Sequence, residues 1–432
     1  MSSAEKGAEH NPLAPETIED PERYWRLLRP QQPLHHFVLP QVELERSANN
    51  PFAAEPTTEF WTTLRHAESL HVLMNPALFP SAQGPGPDRM LQPEDGGVLI
   101  FADGAVHLRQ RRLAAKAFTP KAVDRVVPQI QATVDDLVDA IAAQGRAELV
   151  SAIGLPLSLN TILQIMAISG DMAADFHRWG TAITNTFGGD PAAIAEGGAA
   201  LGELFGYLQG LIDRIRGGAG GDLEEGVLAS LVRAEHDGTH LSDLEVCQIA
   251  MQLIVAGYET TSTAFANGVN ALCAHPEQRA LFESADAEGV ARAVEELLRF
   301  VGPQAGLFRT AAQDLDLGGC PLPKNAKVRV SFASANRDAS VFSDPESLRL
   351  DRDRAELRAH LAFGQGPHAC IGAALARAEL RIGLETLFRR MPGLQIDSEN
   401  PGQRNTSKLT INGFQSLTVV WDPTRVVARA RP

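Results

Sequence analysis

The sequence predicts a mainly α-helical protein with a minor β portion, and three stretches carry this prediction. Ser242 and Glu245 have the S-x-x-E spacing of a capping box, and a long apolar segment follows them to about Ala274. Residues 371–390 are mostly strong helix formers with apolar residues at roughly helical intervals. Residues 302–336 contain the clearest alternation of apolar and polar residues. We therefore expect a long central helix, a later helix and a β region between them.

The composition is that of an ordinary globular protein. Of the 432 residues, 44% are hydrophobic and 21% are charged. The length allows one large domain or two smaller ones, but neither a repeat nor a convincing linker divides the chain. We expect a single domain over residues 1–432, with residues 1–15 frayed. Since the chain has no run of 18 apolar residues and no signal peptide, we expect a cytoplasmic protein without a membrane anchor. We also expect a monomer.

Charge and cysteine spacing disfavour several classes of function. The formal net charge is -14, which opposes nonspecific attraction to nucleic acid or to an anionic membrane. The four cysteines lie far apart and form no C-x-x-C pair, which argues against a zinc knuckle and against a disulfide framework. They are Cys247, Cys273, Cys320 and Cys370.

The N-terminal part of the chain predicts short elements. Residues 21–28 are expected to form an amphipathic helix with Asp20 as its N-cap. Residues 60–64 predict a strand that leads into a helix over residues 68–74. The proline- and glycine-rich residues 80–89 predict a loop, for which a plain surface connection is the simplest interpretation.

The next predicted helix carries a basic cluster. It is expected to begin at Asp103 and to end near Phe118, with Thr119 capping the helix after it. His107 and Arg111 lie four residues apart and therefore on one helical face. From the residues alone, a solvated basic face is the usual meaning of such a cluster.

Helical segments continue to about residue 211. They include residues 134–143 and 155–166. Residues 188–191 and 217–221 interrupt this part of the chain, and both are expected to be loops between helices of one body.

The middle of the long helix is unusually polar. Residues 256–263 combine a glycine, an acid and four aliphatic hydroxyls in a segment that should be core. The simplest interpretation is a tolerated kink whose hydroxyls bond to backbone carbonyls. Glu296 and Arg299 share one face of a later helix, and such pairs are usually surface ion pairs of little value.

Residues 363–372 present one cysteine between a glycine-rich loop and an alanine-rich helix. Gly364 and Gly366 permit backbone conformations that are closed to other residues, so the loop can fold tightly beside a flat ligand. Cys370 is expected at the N-terminus of the helix, where the helix dipole favours the thiolate that binds metals. An inert buried thiol is the alternative.

The pattern F-G-x-G-x-H-x-C-x-G in residues 363–372 resembles the haem-ligand loop of the cytochrome P450 family. The resemblance implies the cytochrome P450 fold, haem b (iron protoporphyrin IX) as cofactor, and Cys370 as the thiolate ligand of the iron, with oxygen activation as the chemistry. H-x-x-x-R at residues 107–111 resembles the family's clamp on a haem propionate. The implied cofactor-binding residues are His107, Arg111, Ala256, Arg309, Phe363, Gly364, His368, Cys370 and Gly372.

The motif A-G-x-E-T-T at residues 256–261 resembles the family's oxygen-binding groove, in which an acid and an alcohol help to bring protons to dioxygen. It implies catalytic roles for Glu259 and Thr260. The resemblance further implies an apolar substrate pocket, with a C-terminal hairpin over residues 410–420 reaching into it. Its implied lining residues are Val255, Ala256, Ala305, Leu307, Phe308 and Phe414.

Other segments match the family by their order in the chain. The E-x-x-R motif at residues 296–299 resembles its buried structural salt bridge, for which the third partner would be Arg349 or Arg352. The loop at residues 80–89 would be a lid over the substrate pocket. Residues 176–187 would be a mobile roof above it.

The resemblance implies a haem-thiolate monooxygenase that inserts one oxygen atom of O2 into a C-H bond of an apolar small molecule. Ferredoxin and ferredoxin reductase would supply electrons through a basic surface with Arg109, Arg112, Lys116 and Arg377. A peroxide-using enzyme of the same fold and a non-catalytic haem-binding sensor are the alternatives. Glu259 and Thr260 favour the monooxygenase, because a sensor needs no proton delivery and the family's peroxide users usually lack this pair.

Overall fold

The computed structural model describes residues 11–14, 16–17, 20–41, 44, 53–55, 57–90, 97–116, 118–186, 191–236, 238–405 and 410–429. Within these ranges the fold is mainly helical. The helices are α1 Pro21–Leu28, α2 His66–Met74, α3 Gly104–Ala115, α4 Pro120–Ile141, α5 Leu155–Met166, α6 Ala173–Asn185, α7 Pro191–Arg216, α8 Val227–Val232, α9 Asp243–Ala274, α10 Pro276–Glu283, α11 Ala287–Val301, α12 Phe332–Ala335, α13 Arg354–Leu357 and α14 Ala373–Arg390. Across the described ranges, no helix has both the length and the apolar character needed to span a membrane.

The strands form a minor β portion beside the helices. They are β1 Leu34–Val38, β2 Ala53–Glu55, β3 Glu59–Thr63, β4 Arg89–Met90, β5 Arg146–Glu148, β6 Glu235–His236, β7 Thr239–His240, β8 Gly306–Thr310, β9 Leu315–Leu317, β10 Cys320–Leu322, β11 Lys327–Ser331, β12 Gln395–Ile396, β13 Gly402–Arg404 and β14 Phe414–Val420. The main sheet has the order β1-β3-β11-β8, with β11 parallel to β3 and antiparallel to β8. In a second sheet, β14 pairs with β12, β13 and β5.

The predicted capping box starts the central helix α9. The Ser242 hydroxyl accepts a hydrogen bond from the Glu245 N–H at 3.2 Å, and the Glu245 carboxylate accepts one from the Ser242 N–H at 2.9 Å. The helix has 32 residues and is therefore about 48 Å long. Helices α5, α7, α11 and α14 pack around it, and its apolar side chains belong to the largest hydrophobic core. This burial explains why α9 is apolar on most of its surface.

Several sequence predictions are confirmed. Helix α1 has Asp20 as its N-cap, and its carboxylate accepts from the Arg23 N–H at 3.1 Å. Helix α5 has the predicted limits. The segment predicted at residues 134–143 lies in the longer helix α4, although that helix ends at Ile141, two residues before the predicted limit. Helix α4 continues through Pro128, and one side of it is buried along its length.

Other boundaries differ from the predictions. Helix α3 ends at Ala115, before the predicted limit, and α14 begins at Ala373 rather than at residue 371. The predicted hairpin over residues 410–420 is wrong, because β14 is a single strand and its hairpin partner is β13. The turn lies before Phe414, since the strand is continuous from Phe414 to Val420. The break predicted at residues 188–191 falls mostly outside the described residues, as does Phe187.

Glu296 and Arg299 form a buried ion pair, as the resemblance implies. The Arg299 guanidinium donates to both carboxylate oxygens of Glu296, at 2.7 and 2.8 Å, and both side chains are fully buried. The third partner is Arg352, whose Nε donates to Glu296 Oε2 at 2.9 Å. Arg349 contributes only its backbone N–H to Glu296, at 2.9 Å, while its side chain faces Asp351. The choice between the two arginines is therefore settled in favour of Arg352.

Lys327 is a buried cation at the start of β11. It is 2% exposed, and its Nζ donates to the Gly84 carbonyl at 3.1 Å. Burial and the nearby Arg309 guanidinium lower the pKa of Lys327 to about 7. The ammonium and the neutral amine are thus about equally populated in the fold at neutral pH.

Lys327 is expected to make a contribution to the stability of the fold that increases as pH rises from about 7 to about 10. In this window the unfolded chain keeps a lysine proton that the folded chain has released, so stability rises by up to about 1.4 kcal/mol per pH unit. Lys327→Met should remove most of this slope, whereas Lys324→Met, which changes an exposed lysine, should keep it. Denaturant unfolding at pH 7, 8 and 9 measures the slopes. Equal slopes in the wild type and in Lys327→Met would contradict the prediction.

Candidate active site

The cysteine loop has a tightly fixed backbone. Gly364 and Gly366 have φ angles of 66° and 74°, in the left-handed region that favours glycine. A Cβ at Gly366 would lie 2.6 Å from the Leu73 carbonyl oxygen of α2, so only glycine fits there. The Cys370 N–H donates to the Phe363 carbonyl at 2.8 Å and closes the loop. These contacts fix the position from which Cys370 projects.

The environment of Cys370 differs from the expectation of a lowered thiol pKa. Cys370 is an exposed residue of the loop, although many protein atoms lie near its sulfur. Burial raises the pKa of the Cys370 thiol, while the Gly372 N–H and the positive charge of Arg111 act in the opposite direction. Because α14 begins three residues after Cys370, the helix terminus is farther from the sulfur than the sequence suggests.

Basic side chains from three separate segments gather beside the cysteine loop. The rings of His107 in α3 and His368 in the loop stack with centroids 3.9 Å apart. Arg111, one turn after His107, donates to the Ala369 carbonyl. Arg309 of β8 is 4% exposed and donates to the Phe308 carbonyl at 2.8 Å. Burial lowers the pKa of Arg309 to about 10 and that of His107 to about 4, the latter with contributions from His368 and Arg111.

Asp103 organises this cluster. The sequence predicts it only as the residue at which a helix begins. Its side chain does not cap α3; instead it accepts from the Ser81 N–H at 2.8 Å and the Ala82 N–H at 2.7 Å. Its other oxygen lies 3.1 Å from His368 Nε2. One carboxylate thus ties the start of α3 to the cysteine loop and to the loop at residues 80–89. No sequence pattern marks these partners, because they lie 21 or more residues away.

The polar turn of α9 contains the predicted acid and alcohol. Glu259 and Thr260 are half-buried, and the Thr260 hydroxyl donates to the Ala256 carbonyl at 2.7 Å. Ala256 is exposed and Val255 is half-buried, whereas most of the following turn is buried. A small exposed residue in the middle of a buried helix leaves room for a ligand beside this turn. The back-bonded hydroxyl agrees with the simplest interpretation of the sequence and leaves the oxygen of Thr260 able to accept another bond.

Tyr258 joins this turn to α6. Its hydroxyl is hydrogen-bonded to His177 Nδ1, and a Cβ at Gly180 would lie 3.2 Å from its ring. Ser158 of α5 donates to the Tyr258 carbonyl at 2.7 Å. The segment predicted to be a mobile roof is therefore attached to α9, as far as the described residues show.

Glu379 of α14 is a second residue that the sequence did not single out. It is 3% exposed, and burial raises the pKa of its carboxyl well above the usual range. An acid within an alanine-rich helix ordinarily faces solvent, but α14 is enclosed by other helices on most of its surface. The burial of Glu379 therefore follows from packing that the sequence does not reveal.

The predicted pocket residues separate into two groups. Leu307 is half-buried and Ala305 is 9% exposed, and both lie near the start of β8. Phe414 is half-buried at the start of β14, with the Arg404 guanidinium 5.0 Å from its ring centroid. Phe308 does not join them: it is fully buried with its ring 5.3 Å from that of Phe60, in a core on the opposite face of β8 from Leu307 and Arg309. Neighbouring residues of a strand point to opposite faces, so Leu307 and Phe308 cannot both line one pocket.

The loop at residues 80–89 is anchored to the main sheet. The Phe308 N–H donates to the Pro85 carbonyl at 2.9 Å, and the Thr310 N–H donates to the Pro80 carbonyl at 3.3 Å. Together with the bond from Lys327 to Gly84, these contacts extend the edge of the sheet. The loop is thus hydrogen-bonded to the main sheet and is not an unattached surface connection.

Comparison with known proteins identifies relatives along most of the chain. The sequence profile of the family described as Cytochrome P450 matches residues 288–408. Cytochrome P450 monooxygenase PikC of Streptomyces venezuelae is 38% identical over 336 residues, which cover 77% of each protein. The 6-deoxyerythronolide B hydroxylase of Saccharopolyspora erythraea is 32% identical over 74% of this chain and 77% of its own length. The structure of cytochrome P450 CYP109Q5 from Chondromyces apiculatus has a TM-score of 0.82 at 27% identity, over 96% of this chain and 98% of that one.

The residues around Cys370 fit the haem that this family carries. A haem with two propionates requires one axial donor and basic side chains for its carboxylates. Among the described residues, Arg111 and Arg309 have no carboxylate within ion-pair distance, and burial lowers the pKa of both. Buried cations are costly unless an anion compensates them, and the propionates would supply that charge. His107 and His368 provide further donors at the same place.

Sequence identity, fold and the chemistry of the residues around Cys370 agree with one another. The relatives share sequence over about three quarters of the chain, and the solved structure matches nearly all of it. The chain therefore belongs to the cytochrome P450 family and is a haem-containing monooxygenase, an oxidoreductase that incorporates oxygen from O2.

Proposed function

We propose that the enzyme hydroxylates a C-H bond of an apolar small molecule, with Cys370 as the axial thiolate ligand of haem b. The observation that supports this most strongly is the gathering of His107, Arg111, Arg309 and His368 beside the cysteine loop. In this proposal Arg111 and Arg309 hold the propionates by charge-assisted bonds, and the two histidines donate further bonds. The fixed loop from Phe363 to Gly372 sets the direction of the sulfur.

Haem supplies the oxygen-activating chemistry when it is bound, and the chain supplies protons, orientation and exclusion of water. Glu259 brings a proton in from solvent, and Thr260 guides it toward the oxygen site, because the Thr260 oxygen can accept another bond while its hydroxyl donates to the Ala256 carbonyl. Ala256 leaves the space in which oxygen and substrate meet, because its side chain is small and exposed. Val255, Ala305, Leu307 and Phe414 form the apolar lining, without Phe308.

The substrate class follows from this lining and from the named activities of relatives. One relative is a 6-deoxyerythronolide B hydroxylase, and the Vitamin D(3) 25-hydroxylase of Pseudonocardia autotrophica is 28% identical over 92% of this chain. An apolar substrate suits a pocket whose proposed walls carry no charge.

The experiment supplies purified enzyme with NAD(P)H, ferredoxin reductase, ferredoxin, 18O2 and a panel of apolar compounds. We expect a hydroxylated product that carries one labelled oxygen atom and no product with peroxide alone. Product formed equally well from peroxide would support the peroxide-using alternative. Haem binding without turnover of any compound, together with a ligand-dependent change in spectrum, would support a sensor.

The proton pathway predicts a specific defect for Thr260→Ala. Oxygen consumption should continue, but a larger share of the reducing equivalents should end as peroxide or water, because the hydroxyl that guides the proton is absent. The ratio of product formed to NAD(P)H consumed measures this loss. Thr260→Ser, which keeps the hydroxyl, serves as the matched control. A product ratio equal to that of the wild type would remove Thr260 from the proposed pathway.

Electrons are proposed to come from ferredoxin and ferredoxin reductase through the basic surface on α3. Arg112 is exposed and lies 3.1 Å from the His236 ring, and Lys116 donates to the Glu235 carbonyl at 2.5 Å. Arg109 is paired with Glu245, so Arg112 and Lys116 are the better candidates for contact with an acidic partner. The enzyme is further proposed to act as a cytoplasmic monomer, with residues 1–432 in one haem domain and no nucleic-acid partner.

Arg112→Glu is expected to slow reduction by ferredoxin without changing haem content or substrate affinity. The exposed charge is screened over about 10 Å at 0.1 M salt, so the wild-type rate should fall as ionic strength rises. Stopped-flow reduction at several salt concentrations measures both effects, and Arg178→Glu on α6 is the control. An unchanged rate with no dependence on salt would place the docking surface elsewhere.

A further inference from the structure

Glu295 of α11 lies behind the cysteine loop and binds two basic side chains that flank it in sequence. Its carboxylate accepts from Arg377 Nε at 2.6 Å and from Arg377 Nη2 at 3.0 Å. The same carboxylate accepts from His360 Nε2 at 2.9 Å. His360 precedes the loop and Arg377 follows it, so Glu295 connects the two ends of the segment that presents Cys370.

Arg377 also contacts the loop directly. Its guanidinium carbon lies 4.4 Å from the centroid of the Phe363 ring, within the range of a cation–π interaction. Phe363 in turn accepts a hydrogen bond from the Cys370 N–H through its carbonyl, at 2.8 Å. The position of Arg377 is therefore linked to that of the sulfur through a single residue.

The charges of this group lie beside the cysteine loop. The positive charge of Arg377 lies over the Phe363 ring, and the negative charge of Glu295 is bonded directly to it. The bonds from His360 and Arg377 lower the pKa of Glu295 to about 2, so its carboxylate remains ionised at all working pH values. Glu295 and Arg377 are only partly exposed, at 25% and 40% of the side chain, which limits screening by solvent.

We propose that Glu295 is a positioning residue for the thiolate: it holds Arg377 against Phe363 and compensates its charge, and the pair thereby sets the reduction potential of the bound haem. The inference rests on the proposed role of Cys370 as the ligand. Nearby cations favour the reduced haem, because reduction adds one negative charge, and nearby anions oppose it. Because the two charges compensate each other, the pair would hold the reduction potential between the value expected with the cation alone and the value expected with the anion alone.

The test compares reduction potentials of haem-loaded variants by spectroelectrochemistry. Glu295→Gln leaves the Arg377 charge uncompensated and should raise the potential, whereas Arg377→Gln leaves the Glu295 charge and should lower it. We expect each change to alter the reduction equilibrium about threefold, close to 30 mV for one electron. The double variant should return close to the wild-type potential, and Arg377→Lys, which keeps the charge, should shift it less than Arg377→Gln.

Glu288→Gln is the matched control, because it makes the same change of charge on the same helix. Glu288 pairs with Arg354 on the surface, whereas the ring contacts of Phe363 are with His360 and Arg377. The inference would be overturned if the reduction potential moved in the same direction in Glu295→Gln and Arg377→Gln, or if it moved in neither. It would also be overturned if Glu288→Gln shifted the potential as much as Glu295→Gln does.

The carbon monoxide spectrum of each protein is recorded first. A wild type without the thiolate band would refute the proposed ligand, whereas an intact band with unshifted potentials would refute only the role of Glu295.

Discussion

Replacing Cys370 with histidine is expected to abolish the strongly red-shifted absorption band of the reduced carbon monoxide complex and, with it, product formation. The band reports thiolate ligation, and the thiolate is the ligand that favours cleavage of the O-O bond. An imidazole lacks that electron donation. Haem should still bind, because Arg111, Arg309 and the two histidines beside the loop are unchanged in this variant. Absorption spectra of the reduced protein with carbon monoxide, normalised to haem content, measure the effect.

Cys320→Ser is the matched control for this experiment. Cys320 is a half-buried cysteine at the start of β10, in a two-stranded sheet separate from the cysteine loop. The control should keep both the band and the activity. If Cys370→His keeps the red-shifted band, another residue is the ligand, and the proposed function loses its central group. If Cys320→Ser loses the band, the ligand assignment moves to that residue.

The parts of this structure that could be predicted from sequence are those set by local chemistry. The capping box at residues 242–245 depends on side chains three residues apart and marks the start of α9 correctly. The glycines of the cysteine loop are needed because the backbone there has positive φ. The E-x-x-R pair is adjacent on one helix, so its geometry is also local.

The parts that could not be predicted depend on contacts across the fold. Arg349 and Arg352 are equivalent candidates in sequence, and only the path of the chain after β11 brings Arg352 to Glu296. Asp103 looks like a helix cap until the loop at residues 80–89 is placed beside it. The pKa of Cys370 depends on burial, which opposes the helix-terminus effect that the sequence suggested.

The conflict between Leu307 and Phe308 as lining residues of one pocket is already present in the sequence. Leu307 and Phe308 are neighbours in a predicted strand, so they cannot both face one pocket. Arg309, assigned to the cofactor, shares its face with Leu307, which leaves Phe308 for the opposite side. The alternation of the strand thus carries information that the family resemblance did not supply, and the buried contact with Phe60 agrees with it.

Glu296→Ala is expected to destabilise the fold by about 3–5 kcal/mol, because it leaves two buried cations without their shared anion. Arg299 and Arg352 both donate to this carboxylate, and all three side chains are fully buried. The free energy of unfolding of a typical domain is only about 5–15 kcal/mol, so a loss of this size removes a large part of it. We expect little folded protein at 37 °C, with the remainder unfolding at a much lower temperature.

This loss of stability is measured in Glu296→Ala and Glu296→Gln by their yield, thermal unfolding and haem content. The amide of Gln can still accept one bond, so Glu296→Gln should lose less stability than Glu296→Ala, and its folded fraction should keep the thiolate band, since Glu296 has no part in the chemistry. Glu288→Ala removes an acid from the same helix but from an exposed ion pair and should change the unfolding temperature only slightly. If Glu296→Ala unfolds at the same temperature as Glu288→Ala, the network does not support the fold. If Glu296→Gln keeps its stability but loses the band, the role of Glu296 lies at the haem instead.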